Sequence, residues 1–148
     1  MSNHSVVVQN LESFKNQILQ GITYTESTPT NGQFTWDTTQ RCVHVVTDNR
    51  GSFRIPLPKV NIGDTIKIQF ECLQLSGSTV HYSVDYGNES FERYEKTTGL
   101  SYINPVGWNR INATFVSTSD SLYPSCVIGL STGEAGSYKL RNIKIDIE

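Results

Sequence analysis

Asp64-Thr65-Ile66-Lys67-Ile68-Gln69-Phe70-Glu71-Cys72-Leu73-Gln74-Leu75 alternates apolar and polar residues almost without a break. Ile66, Ile68, Phe70 and Cys72 fall on one side of an extended chain; Lys67, Gln69 and Glu71 fall on the other. That period of two marks a strand with one face against a core. The pattern returns at Thr79–Tyr86, where Val80, Tyr82, Val84 and Tyr86 share a face, and at Asn109–Val116, where Ile111, Ala113 and Phe115 do. Ser76-Gly77-Ser78 makes a tight reversal between the first two.

Working outward, Arg41–Thr47, Ser52–Leu57, Ser125–Leu130 and Tyr138–Ile147 read as further strands, and Phe34 and Trp36 alternate in a short one. Asp48-Asn49-Arg50-Gly51 is a turn. Pro56 and Pro58 mark an edge, because proline has no N–H to give a ladder. In the last strand Tyr138 and Leu140 share a parity that Ile143, Ile145 and Ile147 do not, and a bulge at Arg141-Asn142 reconciles them. Residues 87–107 read as a loop, with a short strand near Glu92–Lys96. About 8–9 short antiparallel strands with regular turns predict an all-β sandwich or barrel.

Composition agrees. Val, Ile and Thr supply 39 of the 148 residues and Ala and Leu only 11, a balance that disfavours a mostly helical chain. The net charge of −2 comes without a cationic run, so nucleic acid and anionic membrane are not expected partners. No apolar stretch is long enough to span a bilayer. The N-terminus lacks the basic start and apolar run of a signal peptide.

One helix is expected, over residues 5–20. Val7, Val8, Leu11, Phe14, Ile18, Leu19 and Ile22 form a stripe at helical spacing, Glu12, Lys15, Asn16, Gln17 and Gln20 take the other face, and Gly21 stands at the stop. The chain therefore divides into an N-terminal helix (1–22), a Thr-rich connector (23–40) and a sandwich (41–148), together one domain. The helix stripe must be buried, either on the chain's own sandwich, the preferred reading, or by self-association.

Catalytic and metal-binding patterns are not found. Cys42, Cys72 and Cys126 lie in strand-like segments and read as buried, reduced thiols. His4, His44 and His81 lack the close spacing of zinc ligands. Glu89, Glu92 and Glu95 cluster as paired glycosidase carboxylates would, but read as a solvated loop. No cofactor is expected.

Three stretches carry a family resemblance. Val60-Asn61-Ile62-Gly63-Asp64-Thr65-Ile66-Lys67-Ile68-Gln69-Phe70-Glu71 is similar to a strand of galactose-binding-like jelly rolls, with carbohydrate-binding modules of families four and nine the nearest members. Gly107-Trp108-Asn109-Arg110-Ile111-Asn112-Ala113-Thr114-Phe115 resembles their Trp-bearing strand, and Tyr138-Lys139-Leu140-Arg141-Asn142-Ile143-Lys144-Ile145 their last one. The likeness spans residues 41–148. It implies a jelly-roll β-sandwich, here preceded by one α-helix, and a non-catalytic binding function. Arg141-Asn142 stand where the family often has acidic residues, so a calcium ion is not implied.

Small jelly rolls of this type also occur in tail and baseplate proteins of phages that infect Gram-positive bacteria. A chain beginning at Met, with its own helix and no secretion signal, suits assembly in the host cytoplasm into a virion. The expected partners are then other tail proteins or host cell-wall saccharide. The alternative is a stand-alone carbohydrate-binding module of a bacterial glycan-degrading system, cytoplasmic or extracellular.

Sugars lay their apolar faces on aromatic rings while amides and carboxylates take the hydroxyls. The segment from Tyr86 to Trp108 carries Phe91, Tyr94 and Tyr102 among Asn88, Glu92 and Arg93, and is the expected binding loop. Trp36 is a second candidate; otherwise it covers the sandwich edge. Trp108 is a third, unless it packs at the start of its strand.

Overall fold

The alternation at residues 64–75 becomes, in the computed structural model, a twelve-residue strand whose odd positions face water. The structure describes residues 4–19, 23–24, 32–47, 52–87, 94–117, 123–130 and 135–148. Among them the order is β1 (His4–Val8), α1 (Leu11–Leu19), β2 (Thr23–Tyr24), β3 (Gly32–Asp37), β4 (Cys42–Thr47), β5 (Ser52–Pro56), β6 (Thr65–Ser76), β7 (Val80–Gly87), β8 (Tyr94–Tyr102), β9 (Trp108–Val116), β10 (Tyr123–Leu130) and β11 (Gly136–Ile147).

The strands form two antiparallel sheets. One runs β3-β4-β11-β6-β9, with β1 also on β11; the other runs β2-β5-β10-β7-β8. From β4 onward the chain alternates between sheets, returning within one sheet only at the β7–β8 hairpin. The resulting orders, 4-11-6-9 and 5-10-7-8, are those of a jelly roll.

The core lies between the sheets. Ile66, Ile68 and Val84 are fully buried and Phe70 is 1% exposed, as the alternation requires. Ile111 and Phe115 are only partly buried, because β9 is an edge strand. Tyr138 is fully buried, and its hydroxyl donates to the Ile128 carbonyl at 2.9 Å, tying β11 to β10 across the sandwich. Phe70 meets Tyr82 edge-on, with centroids 5.7 Å apart.

The bulge at Arg141-Asn142 is present. Arg141 pairs with Glu71 and Lys144 with Gln69, so two β11 residues stand against Phe70 alone. Asn142 has φ +52°, a conformation that asparagine tolerates better than most residues. The same break lets one edge of β11 serve two partners: Gly136–Leu140 pair with β4, and Ile143–Ile147 with β1.

Two expectations need correction. Residues 4–8 are not helical. Val6 and Val8 alternate into the core opposite Ile145 and Ile143, and the helix starts at Leu11. Its start is fixed by a reciprocal cap: Asn10 Oδ1 accepts from the Ser13 amide at 2.9 Å, and Ser13 Oγ accepts from the Asn10 amide at 3.0 Å. The helix docks on the chain's own sandwich through buried Phe14, 5.7 Å from Trp36. Likewise, residues 23–40 are not merely a connector, since they supply β2 and β3, and the sandwich therefore extends well N-terminal of residue 41.

Ser76-Gly77-Ser78 does reverse the chain, but it carries it from one sheet to the other. Gly77 has φ +92°, and a Cβ there would stand 2.8 Å from the Ala135 carbonyl oxygen, so the turn needs glycine twice over. The turn at residues 48–51 lies outside the described residues.

Candidate functional site

With Val80 and Val84 in the core, alternation gives His81, Ser83, Asp85 and Gly87 backbone positions on the other face of the five-stranded sheet, and the middle row of that face, Ser83 opposite Val127, is buried at 2% and 4% exposure. The β10 register, with Cys126, Ile128 and Leu130 inside, places Tyr123, Ser125, Val127 and Gly129 beside them. On the other flank β8 sets Tyr102 opposite His81, Thr97 opposite Asp85 and Tyr94 opposite Gly87. Tyr94 and Tyr123 are thus both registered against Gly87. Strands lie about 4.8 Å apart, so roughly 10 Å separates these two tyrosine positions, with a residue lacking a side chain between them. Tyr102, His81 and Gly129 form a parallel row.

Residues 87–107 are therefore not one loop: Tyr94 and Tyr102 are the two ends of β8. Two register shifts in the β7–β8 ladder break its alternation, which is why the strand did not show in the sequence. Asn88, Phe91, Glu92 and Arg93 fall in the 88–93 connection, outside the described residues. Tyr123 and His81, which the register sets beside Gly87 and Tyr102, were not among the binding residues singled out from the sequence. Their signal was parity with Gly87 and Gly129, and that requires the register.

The tryptophans are elsewhere. Trp36 is half-buried on β3, packed on Phe14 and the core, and covers an edge of the sandwich. Trp108 begins β9 opposite Leu73, on the outer face of the six-stranded sheet. The Arg141 guanidinium carbon lies 3.8 Å from its ring centroid, so one face of the indole is taken by a cation–π contact. The structure does not bring the two tryptophans together with the tyrosines of β8.

Beside Trp108 is a charge network. Arg141 Nη2 is 3.3 Å from Glu71 Oε1, and Asn142 Nδ2 donates to Glu71 Oε2. That amide, and then Arg141, hold the Glu71 carboxyl below its ordinary value against the opposing effect of burial. Next to it a groove of about 380 Å³ crosses from β9 over β6 to β11 and reaches Gln9 after β1. Farther along this face, Lys139 Nζ donates to Asp37 Oδ2 at 3.0 Å and Gln40 Oε1 at 2.8 Å. Cys42 lies buried nearby, its thiol pushed up by burial. Among the described residues no group of three His, Cys, Asp or Glu side chains could hold a metal ion. No described helix is long and apolar enough to cross a membrane.

This architecture has known counterparts. Several of its solved structural neighbours are carbohydrate-binding modules. A family 11 module from Clostridium thermocellum, solved with a β-1,3-1,4-mixed-linked tetrasaccharide, superposes with TM-score 0.60 at 12% identity, over 95% of this chain and 94% of that one. A family 22 xylan-binding domain from Paenibacillus barcinonensis gives 0.57 at 12%, over 99% and 92%. The enzymatically active domain of tailspike protein 4 of bacteriophage CBA120 gives 0.60 at 11%, over 86% of this chain but 19% of that one. No family model and no curated protein matches the sequence. At these identities the likeness establishes the jelly-roll fold.

Proposed function

We propose that this chain is a non-catalytic saccharide-binding module whose ligand lies on the outer face of the five-stranded sheet, at the end marked by Tyr94, Gly87 and Tyr123. The observation that carries this is the β8-β7-β10 register, which sets Tyr94 and Tyr123 on either side of Gly87 and Tyr102 beside His81. A tyrosine register flanking a glycine suits a sugar ring, whose C–H faces pack on aromatic surface. The fold shared with carbohydrate-binding modules supports the same reading.

The test is binding to bacterial cell-wall polysaccharide and to β-glucans by affinity electrophoresis and calorimetry. Tyr94→Ala and Tyr102→Ala should each weaken binding about tenfold or more while leaving the melting temperature nearly unchanged. A wild-type chain that retains none of these polysaccharides would refute the reading. A place in a virion tail region is a second reading, favoured by the likeness to the tailspike segment. The saccharide would then be a host-surface glycan and the partners other tail proteins. The alternative remains a module serving glycan degradation.

A further inference from the structure

Two rows of residues cross the outer face of the six-stranded sheet. The β9-β6-β11 register aligns Arg110 with Glu71 and Arg141, and Asn112 with Gln69 and Lys144. These rows hold the groove of about 380 Å³, whose floor lies at Phe70 and Ile111, residues of the core cluster or packed against it. A volume of that size falls in the range of small-ligand sites.

The charges in it are unequally spent. Both Glu71 oxygens are engaged, one by Arg141 and one by Asn142, and Arg110 acts on the same carboxylate only through space, so one carboxylate faces two arginines and the row keeps an excess positive charge. The side chains of Gln69, Arg110 and Asn112 have no hydrogen-bond or ion-pair partner among the described residues. Lys144 is held only loosely, 3.7 Å from an Asp146 carboxylate that also accepts from Ser5 Oγ. From strand spacing, the Arg110 and Lys144 backbones are roughly 12 Å apart on a diagonal. Their long side chains can both reach an anion lying over Gln69 and Asn112. The free amides around that point, Gln9 included, match hydroxyl groups.

We propose that this groove binds a carboxylate-bearing sugar unit, a hexuronate, with Arg110 and Lys144 gripping the carboxylate and Gln69 and Asn112 the ring hydroxyls. A neutral sugar would leave the excess positive charge of the groove unanswered. A nucleic acid would need a base-stacking surface, and of the nearby rings Phe70 is buried in the core and Trp108 already carries Arg141. The site goes beyond the saccharide face proposed above and stands on the opposite sheet.

The experiment titrates trigalacturonate, with cellotriose and a single-stranded oligonucleotide as controls, into the full chain and its variants at low and moderate salt. Trigalacturonate should bind and the two controls should not compete for the groove. Arg110→Gln and Lys144→Gln should each raise its dissociation constant about tenfold, and added salt should weaken it. Both side chains are surface groups, so circular dichroism and melting should be unchanged. Tyr94→Ala should leave trigalacturonate binding intact, and Arg110→Gln should leave binding to the five-stranded face intact, which separates this site from the other. The proposal is overturned by no affinity for trigalacturonate at millimolar concentration. It is equally overturned by affinity that ignores both substitutions or that Tyr94→Ala removes, or by an oligonucleotide that binds and is lost with Arg110→Gln.

Discussion

Replacing Asn142 tests whether the bulge in β11 is held by its side chain or only by its backbone. Asn142 does two things: it adopts φ +52° and it donates to Glu71 Oε2. Alanine loses both. A left-handed conformation costs an ordinary L-residue about 1–2 kcal/mol, part of which asparagine already pays. A hydrogen bond to a charged group contributes about 1.5–3 kcal/mol when buried, and less here because Asn142 is exposed. Asn142→Ala should therefore cost about 2–3 kcal/mol at neutral pH, and Asn142→Gly, which keeps the backbone freely, about 1–2 kcal/mol. In a chain of this length each kcal/mol lowers the melting temperature by roughly 2–4 °C.

The pH dependence separates the two contributions. The folded-state pKa of Glu71 lies below its ordinary value of 4.5, chiefly because of the Asn142 amide. Its contribution to stability is fully present above that ordinary value and is lost as the pH falls through the lowered folded one. The gap between wild type and Asn142→Gly should accordingly close on acidification, while the gap between the Gly and Ala variants, being steric, should persist. Urea unfolding followed by tryptophan fluorescence, at about pH 7 and down to about pH 2, measures both. An Asn142→Gly deficit that is the same at both ends, or an Ala variant no worse than Gly, would refute the reasoning.

Phe70→Ala should destabilise the chain by roughly 3–5 kcal/mol in the same unfolding experiment, since Phe70 is 1% exposed and braced by Tyr82; a loss below about 1 kcal/mol would place Phe70 outside the core. The three cysteines are free and buried, with the Cys72 thiol pushed up to about 12 by burial alone. Ellman's reagent should find no fast-reacting thiol in the native chain and all three after denaturation; one fast native thiol would contradict this.

What the sequence showed and what it hid follow from one distinction. The strands β6, β7 and β9 were legible because each buries a single face, and so writes its structure as alternation. The β11 bulge was legible for the same reason, as a slip of parity between Leu140 and Ile143. At residues 4–8, by contrast, consecutive valines satisfy a helical stripe and an extended chain equally well. What decides for the strand is a partner, β11, that lies at the far end of the chain. Strand β8 was hidden because its bulges scramble the alternation. The tyrosines at its ends could be picked as candidates by residue type, but their pairing with Gly87, His81 and Tyr123 exists only in the register. The groove had no signal at all: Arg110, Gln69 and Lys144 each read as the solvent-facing half of an ordinary strand.

The jelly-roll winding explains why two unlike faces coexist on so small a chain. Because successive strands alternate between sheets, neighbouring stretches of sequence feed opposite surfaces: Trp108–Val116 joins β6 in the six-stranded sheet, and Tyr123–Leu130 joins β5 and β7 in the five-stranded one. Packed sheets stand about 10 Å apart. Outward-facing residues on the two sheets are thus farther apart than the range over which substitutions usually couple. Each surface can change its side chains without disturbing the other, and the shared element is the core of Ile66, Ile68, Phe70, Ile128 and Tyr138. Strand β11 is the exception. Its bulge displaces Asn142 to the outer face, where it engages Glu71, and the same displacement restores Ile143, Ile145 and Ile147 to the core opposite β1. A residue that shapes the groove there also sets the register of the sheet, so the groove and the fold are joined at Asn142.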